Sequence, residues 1–314
     1  MGEIIRRPDL EAQVVSVPNY IGDRIFPFWG RPQVAGTMYY QKYYADFDAQ
    51  TGRDTAALGD ITDTIMGSAS VNFSCVELRA RVKMGYTEIA GYSDKEHADM
   101  ALGRRGKRAW FNKLERSIAN ALLNPTDAPV DGTADIVSVI DAQAAILRDL
   151  GIGELALVCS NHNKVLLKSN TTIVERMKAT GVPTGVLSDV RNVQDIQLAA
   201  CLGVDEVITG KDAIWYSGLT GADKDNIALI VRPTPEVDPS EEVQLGRTIY
   251  FMWSDSEADK FIMESWHDNY KDAEVVDAKG LVEIKTLNKE LRTVIRAFND
   301  NSDSSDSGSD SLSL

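Results

Sequence analysis

Residues 93–123 read SDKEHADMALGRRGKRAWFNKLERSIANALL. In the second half of this stretch Trp110, Leu114, Ile118 and Leu122 recur at steps of four, and Phe111 and Ala121 widen the stripe. That period places all six on one side of an α-helix. Arg108, Asn112, Lys113, Arg116 and Asn120 fall elsewhere and can stay in water. Ser93 fits the N-cap, with Glu96 three residues on as its capping-box partner. Pro125 ends the helix, because proline disfavours helical geometry at Asn124 before it. Gly103 and Gly106 weaken the middle and predict a bend or break there. At 1.5 Å per residue the helix would be about 45 Å long, enough to span a domain. The rest of the chain must pack along it or extend beyond it.

With 314 residues, 43% of them hydrophobic and 25% charged, the chain can bury a core in two structural regions. Its net charge of −14 argues against a dedicated nucleic-acid-binding surface, which needs clustered Lys and Arg. Cys75, Cys159 and Cys201 are far apart, odd in number and form no CxxC pair. They read as buried thiols of a protein made in a reducing cytoplasm. No apolar signal-peptide core opens the chain, and no stretch is long and apolar enough to span a membrane.

Residues 1–36 read as an arm, punctuated by Pro8, Pro18, Pro27 and Pro32 and without a persistent period. Ile25, Phe26, Phe28 and Trp29 are too apolar to be left in water. Two strand-like runs follow, 37–47 and 68–84, enclosing a loop rich in Gly, Thr and Asp. The second run changes phase: Val71, Phe73 and Cys75 are apolar on odd positions, Val76, Leu78, Ala80, Val82 and Met84 on even ones. One strand cannot present both sets to the same side, so a bulge or strong twist is expected near Cys75. A lone two-stranded hairpin is marginal in water, and its outer half is expected to lie on another subunit. Further on, 135–150 reads as a helix, 155–159 as a buried strand, and 161–167, 171–179 and 193–202 as helices. The runs 204–209, 213–217 and 227–232 read as strands. Residues 233–242 read as a linker. The runs 247–253, 260–266, 273–278 and 280–286 read as strands of a second, mostly antiparallel sheet that packs on the long helix. Residues 299–314, NDNSDSSDSGSDSLSL, form a low-complexity tail with almost nothing to bury.

The search for chemistry returns no supported active site. Residues 151–156, GIGELA, match GxGxxA, but they follow a helix and precede a strand, the reverse of a dinucleotide site, and read as a helix cap with a turn. Asp46, Asp48, Gln50 and Gly52 hint at a calcium loop, yet Thr51 and Ala57 stand where Gly and Glu are required. His97, His162 and His267 have no metal-ligand spacing. The cluster Arg104, Arg105, Lys107 and Arg108 is the only dense basic patch and reads as a solvated or ion-paired helix face, with contact to nucleic acid or an acidic neighbour as the sharper alternative. Tyr39, Tyr40, Tyr43 and Tyr44 suit strand packing or an interface. No enzyme, cofactor or metal site is expected.

The order of these pieces resembles the major capsid proteins of tailed bacteriophages. IGDRIFPFWGRPQVAGTMYYQKYYADF, residues 21–47, is similar to their N-terminal segment leading into an aromatic strand. LERSIANALL, residues 114–123, looks like the end of their spine helix, and LAACLGVDEVITGKDAIW, residues 198–215, like a run of their axial domain. The resemblance implies an α+β phage major capsid protein fold. Its parts would be an N-arm (1–36), an extended β-hairpin loop (37–75), a peripheral domain with the spine helix (76–150 and 236–298), an α/β axial domain (151–235) and the acidic tail (299–314). It implies a structural protein that assembles as hexamers and pentamers into an icosahedral virion head around double-stranded DNA, without sequence-specific contact, in the host cytoplasm. An encapsulin-like compartment is the alternative. Other partners implied are a portal, a separate scaffolding protein, since the chain opens directly on the arm, and in an open case a decoration protein. Expected inter-subunit contacts are Tyr44, Phe47, Arg53, Asp54, Leu58 and Ile61 in the loop and Phe26, Phe28 and Trp29 in the arm. Some members cross-link a loop lysine; here the tip, 51–67, has none, and Lys42 lies near the base.

Overall fold

The structure, a computed structural model, describes residues 5–7, 20–43, 68–123, 128–181, 193–219, 221–253 and 260–298. Its elements begin with β1 (Ile5–Arg6), β2 (Phe28–Arg31), β3 (Ala35–Gln41), β4 (Ser68–Ser74), β5 (Val76–Gly85), α1 (Tyr86–Ile89) and α2 (Lys95–Leu123). Then come β6 (Val130–Asp131), α3 (Ile136–Asp149), β7 (Leu155–Ser160), α4 (Asn161–Ser169), α5 (Thr171–Ala179), α6 (Asp195–Leu202), β8 (Glu206–Gly210) and α7 (Asp212–Trp215). The chain closes with β9 (Asn226–Val231), β10 (Gly246–Phe251), β11 (Ile262–Asp268), β12 (Ala273–Thr286) and β13 (Arg292–Arg296). It divides into two compact units, Met1–Ala121 with Val231–Leu291 and Leu122–Ile230 with Arg292–Leu314.

The first unit is built on β12. This strand pairs antiparallel with β11, β5 and β10, and β10 carries β2 parallel on its other side. The sequence stripe of α2 is its buried face: Trp110, Leu114 and Ile118 are fully buried. The Trp110 indole N–H donates to the Leu78 carbonyl at 2.9 Å, and its ring stacks on Phe261 at 5.1 Å.

Several expectations are corrected here. The helix runs unbroken through Gly103 and Gly106. A Cβ on Gly106 would stand 3.1 Å from a Val276 methyl, so this glycine serves close approach to β12 and not a bend. Gly280 has the matching role in the sheet, where a Cβ would lie 2.8 Å from both the Lys260 carbonyl and Trp110. It therefore does not divide two strands, and β12 continues through it. The cap moves by one residue, because the His97 N–H donates to Asp94 Oδ1 at 2.8 Å. The arm contains strands after all: β1 lies on β11 and β2 on β10.

Residues 233–242 are not a loose linker. They wrap the guanidinium of Arg247, which is 1% exposed. Its Nε donates to Gln244 Oε1 at 2.7 Å, Nη1 to the Pro235 carbonyl at 2.9 Å, and Nη2 to the carbonyls of Thr234, at 3.1 Å, and Val237. Backbone oxygens thus satisfy a buried cation that would otherwise be costly.

In the second unit a sheet runs β6-β13-β9-β7-β8. Every residue of β7 is buried, and so is every residue of β9, as near-continuous apolar runs demand. Asp135 caps α3, Ser160 caps α4 and Asn170 caps α5 through their side-chain oxygens. Gly151 and Gly153 take φ of 69° and 70° in the turn from α3 to β7, as read from sequence. The run 213–217 is a correction, since α7 stands where a strand was expected. Trp215 folds back over Gly210 in full burial, which a strand would not permit. Residues 122–150 and 292–298, grouped with the long helix in the sequence reading, fall in this unit because β6 and β13 complete its sheet and α3 packs on β7, α6 and β13.

Three outcomes are expected. Gly280→Ala drives a methyl into a backbone carbonyl and an indole and should cost about 1–3 kcal/mol, read as a lower denaturation midpoint. Gly85→Ala, with open space around it, should stay within about 0.5 kcal/mol. At Asp195 burial raises the carboxyl pKa, but hydrogen bonds from Lys168 and Lys164 outweigh it, and the net direction is down. A depressed folded pKa gives stability that is present above the unfolded value, about 3.9, and lost as pH falls through the folded one. Urea midpoints should therefore fall less steeply in acid for Asp195→Asn than for the native chain; parallel curves would refute this.

Candidate functional site

β3 and β4 pair antiparallel from Ala35↔Ser74 to Gln41↔Ser68. Alternation turns Met38 and Phe73 inward, where they are buried with Cys75, Ile249 and Leu287. Trp29, Tyr40, Val71 and Leu281 pack around them. The phase change at Cys75 marks a change of sheet. The Cys75 N–H donates to the Val34 carbonyl at 2.8 Å, β4 before it belongs to the hairpin, and β5 after it joins β12.

The far end of β3 is clamped as well. The Gln41 N–H donates to the Pro239 carbonyl at 2.8 Å, and Asn288 Nδ2 donates to the Gln41 carbonyl at 3.0 Å. The Tyr43 N–H returns the bond to Asn288 Oδ1 at 2.9 Å. The hairpin base is thus held by its own chain up to the residue before the expected contact loop.

The expected contact residues fare differently. Tyr44, Phe47, Arg53, Asp54, Leu58 and Ile61 lie outside the described residues. Phe26 is fully buried, packed where Gly246 lacks a side chain. It offers no face to a neighbour, and its place in the contact set is corrected to an internal one. Phe28 is half-buried among Tyr20, Phe111 and Tyr250, with the Lys260 ammonium 3.9 Å from its ring centroid. Trp29 is half-buried with the Arg31 guanidinium 3.2 Å over its ring. Sequence reasoning missed Val34 and Val76, which are 41% and 66% exposed beside the break at Cys75, near Tyr39 in the same hairpin at 65%. Val76 belongs to the apolar even-numbered set of β5, and only the end of the strand at Cys75 leaves it uncovered.

Away from α2, the other face of the sheet is charged. Asp277 is fully buried and accepts from Arg79 and, at 3.3 Å, from Arg81, whose guanidinium also lies 5.0 Å from the Trp266 ring. Lys83 pairs with Asp268 at 2.9 Å and Lys279 with Glu264 at 2.6 Å. The basic cluster of α2 splits. Lys107 is buried with its ammonium 5.6 Å from the Phe261 ring, and burial, then Lys260, lowers its pKa. Arg105 pairs with Glu88, while Arg104 and Arg108 are exposed.

The histidines take local partners: His97 with Asp94 at 2.7 Å, His162 against the Tyr216 ring at 4.2 Å, and His267 with Glu274 at 3.4 Å. Burial pushes the Cys75 thiol up to about 11 and the Cys159 thiol up to about 12, which keeps both protonated at neutral pH. Among the described residues no three His, Cys, Asp or Glu side chains are grouped to hold a metal ion. The calcium-loop candidate, Asp46 to Gly52, lies outside the described residues.

The sequence matches no protein-family model and no curated protein. The structure does have likenesses. A phage-related protein from Bordetella bronchiseptica RB50 superposes with a TM-score of 0.62 at 17% identity, covering 94% of this chain and 98% of that one. The capsid of the cyanophage P-SCSP1u gives a TM-score of 0.51 at 11% identity, covering 92% of this chain and 91% of that one. The chain has the phage capsid-shell fold. At these identities the likeness is one of fold. It spans nearly the whole of both chains.

The hairpin base of this shell fold rests on Phe73. Phe73→Ala should cost about 3 kcal/mol in a denaturant titration, as buried Phe truncations do. Tyr39→Ala, two-thirds exposed on the opposite face of the same hairpin, should cost less than about 1 kcal/mol.

Proposed function

We propose that this chain is a structural shell protein that associates with copies of itself as hexamers and pentamers and closes into an icosahedral head around double-stranded DNA. The observation that carries the reading is the clamp at the hairpin base. Met38, Phe73, Gln41 and Asn288 fix the stem within the chain. A segment containing Phe47, Leu58 and Ile61 continues from that fixed stem. A rigid stem bearing apolar residues suits a contact made on a neighbouring copy, because the ordering cost of the stem is met before association. The capsid-shell fold supports the same reading.

Each contact can be modest. Standard interfaces bury on the order of 1,600 Å². Several per copy hold a closed shell although each pair alone dissociates, since linked contacts act at high effective concentration. The net charge of −14 fits a wall that packages nucleic acid without gripping it. The loop contact is assigned to Tyr44, Phe47, Arg53, Asp54, Leu58 and Ile61, with Phe28 and Trp29 tying down the arm. A separate scaffolding protein and a portal belong to the same proposal.

Deleting residues 47–65 should leave a subunit whose denaturation midpoint is unchanged but which no longer forms shells in electron micrographs. Closed particles from the deletion variant would show that the hairpin is not the assembly contact.

A further inference from the structure

The helix α2 carries seven basic residues, and four of them are engaged. Lys95 pairs with Glu274 at 3.7 Å, Arg105 with Glu88, Lys107 lies over Phe261, and Lys113 donates to the Arg79 carbonyl at 2.6 Å. Arg104, Arg108 and Arg116 are exposed and, among the described residues, have no hydrogen bond or ion pair. Arg104 and Arg108 stand at i and i+4, a spacing at which like charges destabilise a helix. The three span about 18 Å of helix axis.

The chain also holds a segment of matching opposite charge. Residues 299–314 carry Asp300, Asp303, Asp306 and Asp310, seven serines and no basic residue. Such a composition offers almost no apolar surface to bury, so a contact made through it is electrostatic. Extended at about 3.3 Å per residue, Asp300 to Asp306 covers about 20 Å, close to the span of the arginines.

We infer that the arginine stripe Arg104–Arg108–Arg116 of one copy is the docking surface for the acidic tail 299–314 of a second copy. This rests on the self-assembly proposed above. Each copy supplies one stripe and one tail, so a head-to-tail contact is satisfied throughout a closed ring. The contact is electrostatic and exposed, so it is individually weak and screened by salt.

The test uses the full chain. A photo-crosslinking phenylalanine analogue replaces Ser307 in unlabelled protein, which is mixed with nitrogen-15-labelled native protein, and adducts are mapped by mass spectrometry. The same sample is imaged for particles. Adducts on heavy peptides from residues 95–123, reduced about fivefold or more by Arg104→Ala/Arg108→Ala/Arg116→Ala in the heavy copy and by about 0.5 M salt, are expected. Adducts confined to light peptides, adducts off the helix, or a yield indifferent to the arginines would overturn the contact. Protection of the stripe by short duplex DNA without any tail adduct would assign the stripe to nucleic acid and overturn it too. Particles without heavy-helix adducts refute the contact and leave the shell reading standing. Heavy-helix adducts without particles support the contact and count against the shell.

Discussion

The seating of Trp110 sets the geometry of the first unit. Its ring meets the backbone of β12 at Gly280 and stacks on Phe261, while its N–H closes on the Leu78 carbonyl of β5. One turn earlier, Gly106 admits a Val276 methyl. Two absent side chains, one on the helix and one on the strand, therefore fix how closely helix and sheet approach. Packing at that distance leaves no slack for a register change, because cores are as dense as organic crystals. β12 in turn anchors β5, β10 and β11, so three strands inherit their positions from this contact.

From that frame the chain builds outward by fixing stems and leaving ends. Cys75 is the point where one strand leaves the main sheet for the hairpin. Arg247 converts a proline-rich stretch into a cradle, and its carbonyls line up beside Pro239, which receives Gln41. The cradle thus supports the clamp on the hairpin. Among the described residues, Val34, Val76 and Tyr39 are left exposed in or beside the hairpin, Tyr86, Ile196 and Tyr270 elsewhere, and three arginines along the helix.

Much of this was legible in the sequence where periodicity decides. The Trp110 stripe, the buried strand β7 and the phase change at Cys75 each follow from the residue pattern alone. The misses share a physical cause, which is that one residue type serves two purposes. Gly106 and Gly280 read as breakers because glycine weakens helices and strands, yet here it is selected for close approach. Trp215 reads as a strand residue, but its size is used to cover Gly210 from a helical turn. Phe26 reads as an outward anchor, since apolarity says that a residue must be covered and not by what. Arg247 gave no signal, because the carbonyls that hold it are backbone and invisible in composition.

The central claim is that a chain with this fold completes itself only with copies of itself. Electron cryomicroscopy of the purified full-length protein, concentrated and imaged without further treatment, tests it most directly. Closed shells built from sixfold and fivefold rings, with residues 44–67 of each copy lying on the next, are predicted. Single, unassociated subunits at every concentration, with that segment folded against its own chain, would contradict it.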